Sequence, residues 1–175
     1  MDARTASRLL ALNRHFYEQL AAPFARTRSR PQPGFAPLLA ELPVDCKRLL
    51  DVGCGEGRFG RSILKAVPEM EYVGVDFSAR LLARARAAIP SGTFYMRDIG
   101  ETGTLHGLGT FCAIASLAVL QHIPGRERRV RLLRELRDHL APGGRLFLST
   151  WQFMQSERQR RKIAAWGAAD IDPAA

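Results

Sequence analysis

Residues 48–63 read RLLDVGCGEGRFGRSI, and most of the fold follows from this stretch. A short apolar run through Leu49, Leu50 and Val52 delivers Asp51 into a loop with glycine at 53, 55 and 57, and an amphipathic segment begins directly behind it. Such a run, bounded by a glycine loop and followed by helical spacing, marks a buried strand of a βαβ unit. Glycine at these positions lets the backbone turn sharply and lets a ligand lie against main-chain atoms with no Cβ in the way. A tight strand-to-helix turn accounts for one glycine. Three alternating glycines after a buried strand point to a nucleotide-type site.

Charge selects the ligand. The dinucleotide fingerprint needs glycine at its sixth position, where Arg58 stands, and Asp51 and Glu56 bracket the loop with negative charge. A pyrophosphate is repelled there, whereas S-adenosylmethionine brings a sulfonium and an ammonium and no phosphate. Asp51 is expected to face the ammonium end, directly or through water, with Gly53, Cys54, Gly55 and Gly57 forming the cradle. Asp76 closes the second strand in YVGVDFS, about 20 residues past the loop, where an acidic side chain receives both ribose hydroxyls. Phe77 is then set to flank the adenine. Asp98 ends the third strand in YMRDIG and can accept from the adenine amino group, with Ile99 as an apolar wall. Each aspartate alone could be a strand-end cap. Three at the carboxyl ends of successive strands match the edge where open parallel sheets bind ligands.

Outward from this loop, five apolar runs alternate with amphipathic segments, ending near Val52, Val75, Arg97, Leu117 and Thr150. Phe59, Ile63 and Val67 form one helical stripe; Leu82, Ala85 and Ile89 form another behind Ser78 as N-cap. The longest stripe, Val130, Leu133, Leu136 and Leu140, is expected to stop at APGG. Residues 99–110 carry three glycines and no clear period, enough for a short helical turn. Before the first strand, residues 5–26 read as a lead-in helix, followed by a proline-rich loop and a short helix over 37–42. The division expected is an N-terminal helical lid over 1–44, a core over 45–151, and a basic C-terminal helix and tail over 152–175.

At 175 residues the chain is one domain's worth and can bury a sizeable core. It has no apolar stretch of membrane-spanning length and no cleavable leader pattern. Cys46, Cys54 and Cys112 are odd in number and lack the spacing of a zinc site or a disulfide framework, which favours free thiols in the reducing cytoplasm and no metal. The net charge of +9 comes almost wholly from arginine. It suits a polyanionic partner such as RNA, and equally an arginine-biased composition on solvated helix faces.

These residues resemble the class I S-adenosylmethionine-dependent methyltransferases over 17–151. The flanks are most similar to the tRNA wobble-uridine carboxymethyl methyltransferases, whose Tyr-Asp-x-Ile-Ala lead, Phe-x-x-Thr-Arg turn and Ile-Ala-Val-Ile-His-His strand end correspond to YEQLA from Tyr17, FARTR from Phe24 and SLAVLQHIPGRERR from Ser116. Pro23, Gln32, Gln121 and Cys112 depart from that pattern, standing where it has histidine, tryptophan, histidine and aspartate. The resemblance implies a Rossmann-like, doubly wound α/β sheet of order 3-2-1-4-5, without the family's usual last two strands. It implies that Arg28 pairs with the methionine carboxylate, that Tyr17 covers the cofactor, that Ser116 belongs to the cofactor set, and that His122 stands on the rim where substrate enters. The plain alternatives are an RNA-phosphate contact for Arg28 and a hydrogen-bonded loop histidine for His122. The implied partners are tRNA and a small accessory protein. Two other functions are open at this level: methyl transfer to a small molecule, and a non-catalytic fold that binds RNA or a protein partner.

Overall fold

The computed structural model describes residues 1–26, 32–165 and 167. Helix α1 covers Ala3–Arg26 and α2 covers Phe35–Ala40. The core then alternates: β1 Arg48–Val52, α3 Arg58–Ala66, β2 Glu71–Asp76, α4 Ala79–Ala88, β3 Thr93–Met96, β4 Phe111–Leu117, α5 Arg126–Asp138 and β5 Leu140–Ser149. All neighbouring strands run parallel, in the expected order β3-β2-β1-β4-β5.

Strand alternation divides the core into two layers. Leu49 of β1 sits beside Tyr72 of β2 and faces Phe59, Ile63, Leu82 and Ala85 of α3 and α4. The next residues along, Leu50 and Val73, face Ile114, Leu132 and Leu136 on the α5 side. Asp51 therefore falls, with Gly74 opposite it, on the α3–α4 side of the sheet. Ser78 caps α4 as expected, its hydroxyl accepting from the Leu81 amide at 3.3 Å. No regular helix forms over 99–110, which is held by turns.

Three expectations are corrected. The last long helix stops at Asp138, and Leu140 already pairs with Phe111. APGG is not a turn between helix and strand but a bulge inside β5, because Ala113 next pairs with Arg145. Pro142 has no amide for the ladder and Gly143 has φ +73°, so the chain loops out and rejoins. The basic C-terminal helix is a single turn, α6 Glu157–Arg160, begun by Ser156. Cys46 and Cys112 are not free thiols but form a disulfide with Cα atoms 5.5 Å apart; only Cys54 is free. Cys46 leads into β1 and Cys112 lies in the neighbouring β4, so sheet pairing brings together residues 66 apart in sequence. Among the described residues no helix is long and apolar enough to cross a membrane.

Candidate active site

Strand order reverses at β1, whose neighbours β2 and β4 carry their connections to opposite faces of the sheet and leave a crevice at the carboxyl edge. A cavity of about 580 Å³ occupies that edge, within the range of small-molecule sites. Asp98, Asp76 and the glycine loop follow the ends of β3, β2 and β1, while Ala118, His122, Ser149 and Trp151 follow β4 and β5.

Asp51 and Asp76 are both nearly fully buried. Asp51 accepts from the Tyr72 hydroxyl at 2.6 Å. Burial raises its pKa to about 7; the Tyr72 hydrogen bond pulls it down and the Asp76 charge pushes it up. Asp76 accepts from the Gly55 amide and the Ser78 amide, each at 2.9 Å, and this splints the loop to the start of α4. Burial raises its pKa too, against those backbone donors. Both carboxylates keep lone pairs toward the cavity.

The glycines divide by purpose. All three have positive φ, between +55° and +76°. A Cβ on Gly53 would strike Val119, and one on Gly57 would lie 2.8 Å from Ile89, so these two serve packing. At Gly55 a Cβ would meet no protein atom within 4 Å and would stand in the cavity instead.

Asp98 lines the cavity, with one oxygen accepting from the Gly100 amide at 2.9 Å and the other paired with Arg14 of α1. Phe77 and Ile99 line it as expected. Tyr17 packs edge-to-face on Phe77, ring centroids 6.0 Å apart, and its hydroxyl is 3.0 Å from Nε2 of His122. Asn13 donates to the His122 carbonyl at 3.1 Å, so α1 is fastened to the 3-10 turn Leu120–His122 by two residues.

Of the expected residues, Tyr17, Asp51, Gly53, Cys54, Gly55, Asp76, Phe77, Asp98, Ile99 and His122 share this cavity. Gly57 and Ser116 do not line it. Gly57 caps α3 against α4, and Ser116 is fully buried within the sheet with no hydrogen-bond partner for its hydroxyl. Arg28 lies outside the described residues. Sequence reading missed Tyr72, Asn13, Arg14 and Trp151. It also missed Ala118, held at φ +57° by its amide bonds to Ser149 and by Gln121. Tyr72 was findable: it shares the Asp51 face by alternation, and Gly60 leaves room for its ring. The others depend on contacts between distant segments. Among the described residues no group of His, Cys, Asp and Glu could hold a metal ion.

The family model described as a methyltransferase domain matches residues 50–146, more than half of the chain. The chain belongs to that methyltransferase family. This methyltransferase domain is 31% identical over 144 residues to the tRNA (carboxymethyluridine(34)-5-O)-methyltransferase of Saccharomyces cerevisiae, covering 82% of this chain and 49% of the relative. It is 36% identical over 157 residues to the trans-aconitate 2-methyltransferase of Methylobacterium radiotolerans, covering 86% and 57%. The chain thus spans about half the length of the curated relatives it matches. Among solved structures it is similar to the S-adenosylmethionine-bound amino pentose methyltransferase of Micromonospora echinaspora, with a TM-score of 0.65, 25% identity, and 76% and 56% of the two chains covered. S-adenosylmethionine is the cofactor of this methyltransferase fold. The residues present fit it: two buried carboxylates face the cavity, and Gly55 leaves free the space a Cβ would take.

Proposed function

We propose that this domain methylates a carboxylate oxygen, and that the acceptor is the carboxymethyl group of a tRNA wobble uridine. One observation carries the reading. Among the described residues, the cavity lining around the ends of β4 and β5 is Asn13, Tyr17, His122, Ser149, Trp151 and apolar side chains, with no carboxylate to repel an anionic acceptor. An alcohol or ammonium acceptor would need His122 to take its proton, whereas a carboxylate is already ionised at neutral pH and needs no base. Both relatives named above act on acceptors that carry carboxylates.

The cofactor, when bound, supplies an electrophilic methyl on a sulfonium, transferred by in-line displacement. The chain's own residues supply binding and alignment. Asp51 is assigned to the ammonium, Asp76 to the ribose hydroxyls, Asp98 and Ile99 to the adenine edge, and Phe77 to its face. Tyr17 and His122 are assigned to the mouth, where the hydrogen-bonded pair can donate its remaining proton to one oxygen of the acceptor carboxylate and hold the other in line. Arg28 is assigned to the methionine carboxylate, and residues 1–44 to a lid over the site. The tRNA reading carries with it a small accessory protein and a cytoplasmic location, which rests on the substrate alone because the Cys46–Cys112 disulfide removes the free-thiol argument for it. Efficient methyl transfer by the isolated chain would remove the accessory protein from the proposal.

The experiment is a comparison of modified nucleosides in tRNA from cells with and without the gene. Loss of the wobble methyl ester, with accumulation of its free acid, is expected. A second reading, methylation of a small polycarboxylate, is favoured by the 36% identity to the trans-aconitate enzyme. Unchanged tRNA together with loss of a small methyl ester would select it.

A further inference from the structure

Tyr17, His122 and Trp151 line the cavity mouth, and with Phe16 outside it their rings form a connected series. Phe16 packs against Tyr17 at 5.2 Å, Tyr17 against His122 at 5.4 Å, and His122 against Trp151 at 5.5 Å, all edge-to-face. Trp151 ends the series while lining the cavity, and 48% of its surface is exposed. Its position is fixed from two sides. The His122 ring meets it at an interplanar angle of 79°. Just before it, the carbonyl and the hydroxyl of Ser149 each accept from the Ala118 amide at 3.0 Å, tying the end of β5 to the end of β4. A half-exposed indole in the wall of a ligand cavity is a surface for a flat partner, since part of the ring packs on His122 and the rest is presented. Leu117 and Leu148 add apolar lining to the cavity, and among the described residues no carboxylate stands at the ends of β4 and β5.

Resting on the reading that the acceptor is the carboxymethyl group of a wobble uridine, we propose that the uracil ring stacks on Trp151. Trp151 is thereby the specificity-determining residue that separates a ring-borne carboxylate from an acyclic one. Stacking on an aromatic side chain tolerates any base and places the ring without engaging its hydrogen-bonding edge. The substituent then projects past Tyr17 and His122 toward the cofactor end. An acyclic polycarboxylate has no ring to stack and gains little from the indole.

The test uses the full chain with S-adenosylmethionine, an anticodon stem–loop RNA carrying 5-carboxymethyluridine, and trans-aconitate as the acyclic comparison. Trp151→Ala is expected to raise KM for the RNA by roughly tenfold to a hundredfold. Cofactor affinity should stay unchanged, and Trp151→Phe should restore KM to within severalfold. Intrinsic fluorescence gives a readout independent of turnover: the 5-carboxymethyluridine nucleoside, added with S-adenosylhomocysteine, should quench the wild type and not Trp151→Phe. If Trp151→Ala fails to bind cofactor, the Phe variant and the quenching decide. An unchanged KM in Trp151→Ala, or quenching that survives in Trp151→Phe, overturns the stacking site. An equal loss toward trans-aconitate overturns the ring selectivity. A wild type that shows neither methyl transfer to either acceptor nor quenching by the nucleoside overturns the carboxylate reading itself, and the stacking proposal falls with it.

Discussion

Asp51 meets opposite demands. Burial favours its neutral acid, while an ammonium partner requires the carboxylate. With its pKa raised from 3.8 to about 7, the folded domain binds more protons at Asp51 than the unfolded chain does between those values. Its contribution to the stability of the cofactor-free domain is therefore full below about pH 4 and lost as pH rises through 7. Cofactor affinity runs the other way and should weaken by up to about tenfold per unit as pH falls below 7. Calorimetric titrations from pH 5.5 to 8.5 check this, and a flat profile would remove Asp51 from the ammonium site. Tyr72→Phe deletes the 2.6 Å donor that favours the ionised form, so the affinity midpoint should move to higher pH with little loss at pH 8.5. A midpoint left in place would mean that Tyr72 serves packing alone.

The glycine loop makes the next prediction, because structure separates glycines that look equivalent in DVGCGEG. Gly53→Ala puts a methyl into Val119 in a left-handed backbone and should lower thermal stability even without ligand. Gly55→Val carries a left-handed strain of roughly 1–2 kcal/mol, but its Cβ meets no protein atom within 4 Å. It should still fold, by circular dichroism, and bind no S-adenosylmethionine. Retained affinity in the Gly55 variant would mean that the loop does not cradle the cofactor. Much at this scale was legible in the sequence, because runs such as Leu49 to Val52 and stripes such as Phe59 and Ile63 are local patterns that tertiary packing reinforces. The start of β5 was not: Leu140 continues the α5 stripe, and only its pairing with Phe111, across the sheet, makes it strand. For the same reason Cys46 and Cys112 read as unrelated until β1 and β4 became neighbours.

For the whole molecule, the three strand-end aspartates were readable because parallel topology sends every such residue to one edge. The mouth was readable only in part. Tyr17 and His122 came from a resemblance, and their meeting at 3.0 Å depends on how α1 folds back over the sheet, which no local pattern encodes. The Arg14 pairing with Asp98 is of the same kind. What the assembled site should do is move a methyl group onto a carboxylate of RNA, and the chemistry of the product distinguishes this from every N- or ether O-methylation. The decisive measurement gives the full chain S-adenosylmethionine labelled in its methyl group, together with tRNA whose wobble uridines carry free carboxymethyl groups. Label is expected in the RNA, dependent on the carboxymethyl group and released as methanol by mild alkali, as a methyl ester must be. Label that survives alkali, or RNA that stays unlabelled while a small carboxylate is esterified, would contradict methyl transfer onto a carboxylate of RNA.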